Sequence, residues 1–527
     1  MFRASSQKSA DKGSLSELPL DNETVRLMNK KRSMQELWER KEGTVKVDIG
    51  QMYGLTIASE DVSSVYEIDK HQIGAGQFGV VRKCRMKGTI DKKFAIKSLE
   101  KAKLKGDVTS LRTELKILRF CDHPNVVKFV ELYQDPVHYH FILELCRGGD
   151  LGTWVKNHGP LSEEETKAAI YQVLKSLAYL HACGLMHRDV KCENFLFLHK
   201  SATSPVKLID FGLSTKMHER EKMYSIVGTP TYIAPEMIEK IGYDEKIDVW
   251  AVGVMTYFLL TGLYPFMGDT HQTLFLNIKN NNYNMKSVEQ FKRVSPMCKE
   301  FIASIFQRNP KNRPTAHEAL RNVWFQDLNA KLDVAGHKLI NKPLLQRMKG
   351  NRVPSVFFKE VVSLIVKLFD DRTELKDAQN IFFSFDLLNN GIISALEVRE
   401  VFRDHGEALS EREAEDIVSN MCVRNRHVAS YSEFMASVTD HGWFLQEEVM
   451  KLIFKKFDVD GDGYISKRDI QMSFARSGVE LSKEELARMT AEFSLEKDGD
   501  VKVSQMEFNL LLAGFDKKKP EEMTAPG

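Results

Sequence analysis

The spacing of apolar residues divides the chain into regions of different secondary structure. Between residues 66 and 150, short apolar runs such as Val80-Val81 and Phe94-Ala95-Ile96 are separated by glycine turns, and this pattern predicts strands. From 150 to 325 the apolar positions recur at helical spacing, which predicts a helix-rich region. The uncharged run Val249–Met267 contains glycine, proline and polar residues, so we interpret it as a buried helix rather than a membrane span.

A second change of pattern begins at Pro354. Apolar residues there follow the spacing i, i+4, i+7 and i+11 in two adjacent series, which predicts a helix with a wide apolar face over residues 354–369. The preceding residues, 326–352, mix lysine, asparagine and glycine, and we interpret them as a connector. The two series are Phe357, Val361, Leu364 and Leu368, followed by Phe358, Val362, Ile365 and Phe369.

Beyond this helix the sequence contains an internal repeat. Candidate loops begin at Asp386, Cys422, Asp458 and Glu496, at intervals of 36, 36 and 38 residues. A repeat of this length predicts four helix–loop–helix units in series.

Length and charge support a division into several domains. A chain of 527 residues is expected to form about three domains. Its net charge of +2 gives no reason to expect nucleic acid as a partner. The charges are unevenly distributed, because residues 370–527 hold 32 acidic and 20 basic residues, whereas the rest of the chain holds 55 basic and 41 acidic residues. We therefore expect an acidic module that attracts both the basic body and cations.

These patterns predict five consecutive parts. They are a flexible N-terminal extension (1–65), a strand-then-helix unit (66–325), a junction (326–370), a module of four loops (371–513) and a flexible tail (514–527). Residues 26–38 of the extension fit either a short basic amphipathic helix or a solvated charged tail, and we favour the tail.

Cysteine usage and the N-terminal residues bear on the compartment. The seven cysteines are scattered and include no C-x-x-C pair, which favours a reducing environment. The start of the sequence has no apolar signal core, and Phe2 stands where N-myristoylation requires glycine. We therefore expect a cytoplasmic protein without a transmembrane segment or N-myristoyl group, and we leave nuclear entry open.

A glycine-rich segment and a lysine suggest a phosphate-binding site. Residues 74–81 match G-x-G-x-x-G-x-V, and β-formers follow the last glycine instead of the helix that a dinucleotide-binding fold would need. Lys97 ends the strand Phe94-Ala95-Ile96, where a cation can hold phosphate charge. Glu114, on a predicted helix, can supply the carboxylate that a buried lysine needs.

Three further motifs follow in a fixed order. His187-Arg188-Asp189 is followed by Asn194 with H-R-D-x-x-x-x-N spacing, then by Asp210-Phe211-Gly212 and by Ala234-Pro235-Glu236. With this set complete, residues 66–325 resemble a eukaryotic protein kinase domain.

The resemblance implies specific roles. Asp189 would accept or orient the proton of a substrate hydroxyl, Asn194 and Asp210 would hold magnesium, and Lys97 would position the ATP phosphates. Lys191 and Thr229 would complete the catalytic set and favour serine or threonine substrates. The implied nucleotide contacts are Ile73, Gly74, Ala75, Gly76, Gln77, Phe78, Gly79, Val80, Val81, Ala95, Lys97, Glu114, Leu143, Glu144, Cys146 and Asp210, with Leu143 guarding the back of the adenine pocket.

Substrate choice and phosphorylation are further expectations from the resemblance. Asp150 and Glu193 stand where basophilic kinases read an arginine three residues before the phosphosite, so we expect R-x-x-S/T substrates. Ser225 fits either a plain loop serine or a phosphorylation site, and we favour the plain serine. Ser355 lies in an R-x-x-S pattern of the junction, which is short enough to arise by chance.

The third repeat loop closely matches a calcium-binding EF-hand. Asp458, Asp460, Asp462, Tyr464 and Asp469 stand at ligand positions, and a glycine occupies the turn position, although position 12 carries Asp where Glu is usual. The fourth loop has Glu496, Asp498, Asp500, Lys502 and Glu507, but Val501 replaces the turn glycine.

The first two loops match less well. The first has Asp386, Asn390 and Glu397, but Leu388 replaces an oxygen ligand, so ion binding there is left open. The second offers Cys422, Arg424 and Arg426 at positions 1, 3 and 5. The two arginines repel calcium and only Glu433 remains as a ligand, so we expect a structural hand without an ion.

Together, the kinase motifs and four EF-hands resemble the calcium-dependent protein kinases. The resemblance implies a two-lobed α+β kinase fold followed by an all-α, calmodulin-like EF-hand domain, with ATP, Mg²⁺ and Ca²⁺ as cofactors. It also implies that calcium relieves occlusion of the kinase cleft by the junction, after the EF-hands capture or reorient the junction helix. Two alternatives remain: the EF-hands serve mainly as a docking module, or the chain is a calcium-binding pseudokinase scaffold.

Overall fold

The structure is a computed structural model that describes residues 61–76, 79–88, 92–104, 108–217, 223–350, 356–422, 427–439, 441–477, 481–491 and 502–517. It contains a strand-rich N-lobe (residues 61–144), a helical C-lobe (150–325) and a helical EF module, whose last helix ends at Lys517 and so extends into the predicted flexible tail (514–527). The predicted fold class, a two-lobed α+β unit followed by an all-α EF-hand region, is confirmed.

The N-lobe is built on an antiparallel sheet of five strands. Its strand order is β1-β2-β3-β5-β4, and Lys97 of β3 lies opposite both Val81 and Phe141. The elements are α1 (Val62–Val65), β1 (Tyr66–Gly76), β2 (Gly79–Met86), β3 (Lys93–Glu100), α2 (Val108–Phe120), β4 (Phe129–Gln134) and β5 (His138–Glu144).

The C-lobe packs its helices around α6. Every residue of α6 after Lys246 is buried, and Gly262 ends the helix with a φ of 72°. The elements are α3 (Leu151–His158), α4 (Glu163–Ala182), β6 (Leu185–Met186), β7 (Phe195–Phe197), β8 (Val206–Leu208), β9 (Thr215–Lys216), α5 (Pro235–Glu239), α6 (Lys246–Thr261), α7 (His271–Lys279), α8 (Pro296–Ile305) and α9 (Ala316–Leu320). The uncharged run thus forms a buried helix as far as Thr261, whereas Leu263 and Met267 beyond it are exposed. The part of the chain that the structure describes holds no helix long and apolar enough to span a membrane.

The junction and the EF module are helical. The loops are joined in pairs by short antiparallel strands, β10 with β11 and β12 with β13. The elements are α10 (Gln326–Leu339), α11 (Lys342–Gly350), α12 (Val356–Phe369), α13 (Lys376–Phe385), β10 (Ile393–Ser394), α14 (Ala395–Asp404), α15 (Glu411–Met421), β11 (Val428–Ala429), α16 (Tyr431–Val438), α17 (Glu447–Phe457), β12 (Tyr464–Ser466), α18 (Lys467–Arg476), α19 (Lys483–Ala491), β13 (Lys502–Ser504) and α20 (Gln505–Lys517).

Two segments are more ordered than the composition indicated. Residues 326–350, interpreted as a connector, form α10 and α11, and a Cβ built on Gly336 would meet Ser384 Oγ at 2.0 Å, so α10 lies directly against α13. Val62 is buried although it belongs to the predicted flexible extension, because the Asp61 side chain caps α1 and the helix packs on the N-lobe. The suggested helix at 26–38 lies outside the described residues.

The hydrophobic core has two parts, and the second joins the N-lobe to the EF module. Ala95, Leu143 and the C-lobe helices form the first part. Phe94, Ile96 and Ile142, on the opposite face of the sheet, belong to the second, which also contains the apolar residues of α12 and of the EF helices. The EF module therefore covers the outer face of the N-lobe sheet.

Candidate active site and calcium loops

The loop after β6 places three side chains in mutual contact. Lys191 Nζ donates to Asp189 Oδ2 at 2.6 Å and to Thr229 Oγ1 at 3.1 Å, and Thr229 Oγ1 donates to Asp189 Oδ1 at 2.9 Å. Asn194 Nδ2 donates to the backbone carbonyl of Asp189 at 2.8 Å. Both carboxylate oxygens of Asp189 are thus held in fixed directions, which is what a group that orients and accepts a proton requires.

The backbone of this loop is strained at Arg188, whose φ of 67° lies in the left-handed region. Asp248 holds it there, because its carboxylate accepts the backbone N–H groups of His187 at 2.9 Å and of Arg188 at 2.8 Å. The sequence analysis did not single out Asp248. One signal was available in the sequence, because Asp248 lies directly before the uncharged run that begins at Val249. A carboxylate next to a buried helix needs a hydrogen-bond donor inside the protein.

Lys97 forms an ion pair with Glu114 of α2, with 2.7 Å between Nζ and Oε1. Burial disfavours the charge on Lys97, but Glu114 and Asp210 outweigh it and raise the pKa of the amine. Burial also opposes ionisation of Asp210, yet Lys97 and the N–H of Gly212 lower the pKa of that carboxyl. These interactions favour the charged forms of Lys97 and Asp210 in the cleft.

The other predicted nucleotide contacts lie on the strands around this cleft. In β1 and β2, Gly74 pairs with Val81, Ala75 with Val80 and Gly76 with Gly79, while Ile73 is exposed. Ala95 lies opposite Leu143, and Cys146 is half-buried in the segment after β5, where burial raises the pKa of its thiol. The side chain of Glu144 forms an ion pair with Lys207 at 2.9 Å, so only the backbone of Glu144 is left for the nucleotide, and this contact stays a prediction. Gln77 and Phe78 lie outside the described residues.

The donor set fits a magnesium–nucleotide complex. Asn194 and Asp210 carry the amide and carboxylate oxygens that Mg²⁺ prefers, and Asp210 is ionised. His187 Nε2 contacts the backbone oxygen of Asp210 at 2.5 Å, which ties the segment of Asp210 to the loop of Asp189. Lys97 supplies a cation for phosphate oxygens.

Two carboxylates converge beside the catalytic loop. A Cβ built on Gly152 would lie 3.2 Å from Asp150 Oδ1 and 3.4 Å from Glu193 Oε1. Glu193 Oε2 is buried without a hydrogen-bond partner. A buried, unpaired carboxylate oxygen next to a second carboxylate suits a cationic side chain such as arginine.

Ser225 and Arg188 do not meet in this structure. Ser225 is exposed and its Oγ lies 3.1 Å from the hydroxyl of Tyr243, whereas Arg188 Nε donates to the backbone carbonyl of Leu213 at 2.7 Å. Ser355 lies outside the described residues. The plain-serine interpretation of Ser225 stays a prediction.

The third EF loop is arranged to take a cation. Ligand oxygens of Asp458, Asp460 and Asp462 lie within 4.8 Å of one another, and Asp458 Oδ1 is buried without a hydrogen-bond partner. Burial raises the pKa of Asp458, and the neighbouring charges of Asp460 and Asp462 add to the effect. A divalent cation removes this repulsion, so these residues fit calcium. Asp469, at position 12, accepts the N–H groups of Val459 and Ser466 at 3.2 and 2.9 Å.

The fourth loop contacts the third loop through a lysine side chain and a short strand. Lys502 Nζ lies 3.1 Å from Asp462 Oδ2, and the β12–β13 ladder pairs Ser466 with Lys502. Glu507 accepts the backbone N–H of Ser504 at 2.8 Å. Glu496, Asp498 and Asp500 lie outside the described residues.

The first EF loop is buried against the C-lobe. Asp386 accepts the N–H groups of Asn390 and Gly391 at 2.9 and 3.1 Å, and Glu397 accepts that of Leu388 at 3.1 Å. Burial and the neighbouring charge of Asp386 raise the pKa of Glu397. A Cβ built on Gly391 would lie 2.5 Å from the ring of His123 in the N-lobe and 2.9 Å from that of Tyr179 in α4 of the C-lobe, so side chains of both lobes touch the loop backbone.

The second hand contacts the same surface. Asp122, which forms an ion pair with Lys128 at 3.2 Å, accepts the hydroxyls of Ser430 and Ser432 at 2.9 and 2.7 Å. Arg424 and Arg426 lie outside the described residues. The described parts of the first two loops are thus joined to the kinase-like lobes.

The third hand is tied to the N-lobe through a buried ion pair. Lys456, at the end of α17, lies 2.6 Å from Glu131 of β4, and both side chains are 1% exposed. Glu131 also accepts the hydroxyl of Tyr66 at 2.6 Å. Lys456 is two residues from Asp458, so an ion at the third loop lies next to this contact.

The predicted junction helix belongs to the EF module. Phe357 of α12 packs on Phe457 with ring centroids 5.3 Å apart, and Phe369 packs on Trp443 at 6.0 Å. Among the described residues, those that line the groove beside Asp189 and Thr229 fall between 188 and 251. In this arrangement α12 is a core helix of the module, and its described residues lie away from that groove.

Comparison with known proteins agrees with this geometry. The protein kinase domain model matches residues 67–325, and the EF-hand domain pair model matches residues 447–511. The chain is 34% identical over 356 residues to Calcium-dependent protein kinase 29 of Arabidopsis thaliana, covering 67% of this chain and 65% of that protein. It is 32% identical over 340 residues to Calcium-dependent protein kinase 5 of Plasmodium berghei (strain Anka), covering 64% and 60%. It is also 32% identical over 362 residues to Calcium-dependent protein kinase 2 of Oryza sativa subsp. japonica, covering 68% of each chain.

Replacing Asp460 by Ala removes a ligand from the third loop without disturbing the core, because this side chain is exposed. We expect the tightest calcium site of the full chain to weaken by about one to two orders of magnitude, since affinity follows the number of charged ligands. Calorimetric titration with calcium measures this. Asp416→Asn, at an exposed position of α15, is the matched control and should bind as wild type does. Equal affinity and stoichiometry in Asp460→Ala would contradict the assignment.

Proposed function

The chain belongs to the family of calcium-dependent protein kinases, and on this premise we propose that it transfers the γ-phosphoryl group of ATP to serine or threonine hydroxyls of protein substrates under the control of calcium. The observation that carries the proposal is the contact triangle of Asp189, Lys191 and Thr229, in one chain with a calcium loop whose Asp458 has a buried oxygen without a hydrogen-bond partner.

Each residue of the cleft has a role in the proposed phosphoryl transfer. Asp189 orients the substrate hydroxyl and accepts its proton, while Lys191 stabilises the negative charge that builds up beside it. Thr229 fixes the direction of Asp189 and narrows the approach to the carboxylate. Lys97, held by Glu114, orients the phosphates, and Asn194 and Asp210 hold magnesium. Bound Mg–ATP supplies the transferable phosphoryl group.

The preferred substrate has arginine three residues before the phosphorylated residue. Asp150 and Glu193 flank the same backbone position at Gly152, and Glu193 Oε2 has no hydrogen-bond partner. A guanidinium between them satisfies both carboxylates in a geometry that lysine reproduces poorly.

Calcium controls the kinase through the third hand and, by family likeness, through the fourth. The described first loop is buried against the lobes and the second contributes Ser430 and Ser432 to Asp122, so these hands serve as the fixed dock. Calcium acts only through its differential affinity for two states, and the docked state keeps α12 away from the cleft. Without calcium, α12 leaves the module and the junction occludes the substrate site.

Two further features complete the proposal. The kinase domain spans residues 61–325 rather than 66–325, because α1 packs into the N-lobe. The seven cysteines are free, which suits a reducing cytoplasm.

The central test is phosphorylation of an arginine-containing peptide by the full chain across a calcium titration. We expect activity to fall when calcium is chelated. Asp189→Asn should lower kcat by about 10² to 10⁴, the usual contribution of a positioned base, whereas Asp269→Asn, at an exposed position, should behave as wild type. Activity that ignores calcium would identify the EF module as a dock only, and no transfer at any calcium concentration would refute the kinase proposal.

Substrate choice is tested with Glu193→Gln. A hydrogen bond to a charged group is worth about 1.5–3 kcal/mol, so we expect kcat/KM for the arginine peptide to fall by about tenfold or more. A peptide with alanine in place of that arginine should lose the same factor with wild type and little more with the variant. Glu289→Gln, which changes a largely exposed side chain, is the control. Unchanged preference in Glu193→Gln would sink the arginine-pocket assignment.

Coupling is tested with Lys456→Met. Removing one partner of a buried ion pair costs about 3–5 kcal/mol. Here the loss destabilises the state in which the EF module is docked on the N-lobe, because the Lys456–Glu131 pair forms only in that state. We expect the calcium concentration for half-maximal activity to rise, by about tenfold for each 1.4 kcal/mol lost. Lys451→Met, on the exposed face of the same helix, should not shift it. If Lys456→Met keeps the wild-type calcium response, the ion pair has no part in control.

A further inference from the structure

A second cluster of metal-ligand residues lies at the turn between β4 and β5, outside the kinase and calcium sites. It contains Asp135, His138 and His140, whose ligand atoms all lie within 4.8 Å of one another. His138 and His140 are two residues apart on β5, so their side chains point to the same face of the strand. Asp135 lies in the turn that precedes them.

The turn presents one oxygen of Asp135 to both imidazoles. Oδ1 accepts the N–H groups of Val137 and His138, each at 2.6 Å, and is therefore used by the turn itself. Oδ2 lies 2.9 Å from His140 Nε2 and 3.6 Å from His138 Nδ1. The hairpin thus fixes the carboxylate before any ligand binds.

We propose that Asp135, His138 and His140 bind a divalent transition-metal ion of the zinc class. A tetrahedral zinc ion with bonds of about 2.0–2.1 Å separates its ligand atoms by about 3.4 Å. The observed distances of 2.9 and 3.6 Å bracket that value. Two imidazoles and one carboxylate leave a fourth position, which faces solvent because Asp135 and His138 are about one-third exposed.

The ring of His140 is held by Ser98 at the nitrogen that does not contact Asp135. Ser98 lies opposite His140 in the β3–β5 ladder, and its Oγ is 2.9 Å from His140 Nδ1. The hydroxyl can accept the Nδ1–H, and this tautomer leaves the lone pair of Nε2 for a metal. Both side chains are buried, so the ring cannot turn away. Ser98 is therefore a positioning residue.

The surrounding charge favours a cation. Asp61 lies within electrostatic range of Asp135 and His140, and Glu100 lies within range of His138. Glu100 pairs with Lys103 at 2.9 Å, and Lys101 lies 4.7 Å from the ring of Tyr139. Tyr139 alternates with the two histidines along β5, so Lys101 lies on the other face of the strand from the cluster.

The alternative is that the cluster is only a hydrogen-bonded network of the turn. Both interpretations explain the Asp135–His140 contact. They differ for His138, since its 3.6 Å separation from Asp135 is too long for a hydrogen bond. A metal ion would join all three ligand atoms, whereas the network links Asp135 by a hydrogen bond to His140 and leaves His138 at a longer distance.

The test uses the full chain, stripped with a chelator and then returned to saturating calcium so that the EF-hands are occupied. Titration with CoCl2 should produce ligand-field absorption in the visible range that saturates at one equivalent of cobalt per chain, and ZnCl2 should abolish this absorption. His138→Ala removes a partly exposed ligand and should lose this equivalent while keeping the metal-free melting temperature. Ser98→Ala should weaken binding by about 10- to 100-fold.

His71→Ala, at an exposed histidine of β1 outside the cluster, is the matched control and should bind as wild type does. ZnCl2 should raise the melting temperature of wild type and of His71→Ala but not of His138→Ala, because the ion binds the folded form. The free thiols are common to all variants and cancel in the comparison. The proposal would be overturned if wild type bound no equivalent of cobalt in the presence of calcium, or if His138→Ala bound as much cobalt as wild type. Either result would leave the cluster as a hydrogen-bonded network.

Discussion

The structure depends on one constraint, which is that the N-lobe sheet is apolar on both faces. Along β3, Ala95 and Leu99 face the C-lobe side while Phe94 and Ile96 face outward, and all four are buried. Each large side chain of this kind is worth about 1.5–3 kcal/mol when it is removed from water. The outer face therefore needs a cover, and the EF module with α12 supplies it.

Within this apolar contact, charged groups decide how the two parts fit together. Lys207 lies between Glu144 of the lobe hinge and Asp370 after α12, at 2.9 and 3.4 Å, and Lys92 contacts Asp371 at 2.7 Å. These pairs realise the attraction between a basic body and an acidic module. Buried ion pairs add little net stability, but each excludes arrangements that would leave a charge without its partner. They therefore specify one register between the EF module and the two lobes.

Much of the architecture follows from local patterns in the sequence. Glycine turns with strand-forming runs, the complete set of catalytic motifs and the regular spacing of the EF loops are each determined within short segments, so the two-lobed unit and the helical module were predictable. The pairing of Lys97 with Glu114 and the contacts of Asp189 with Lys191 and Thr229 were predictable for the same reason, because the motifs name these residues one by one.

What could not be predicted depends on contacts between distant segments. Asp248 acts on a backbone 60 residues earlier, and Glu131 meets Lys456 across the domain boundary. The side chain of Glu144 pairs with Lys207, which also contacts Asp370 after α12, and the residues that neighbour Glu144 in sequence do not indicate this contact. One signal was available, since the unbroken apolar runs Phe94-Ala95-Ile96 and Phe141-Ile142-Leu143 indicate strands buried on both sides. The same reasoning explains a difference between two of the EF loops. The first loop is buried where Gly391 lies against His123, whereas Asp460 and Asp462 of the third loop are exposed to solvent. The packing of a loop against the lobes, and not its own sequence, therefore decides whether its carboxylates reach solvent.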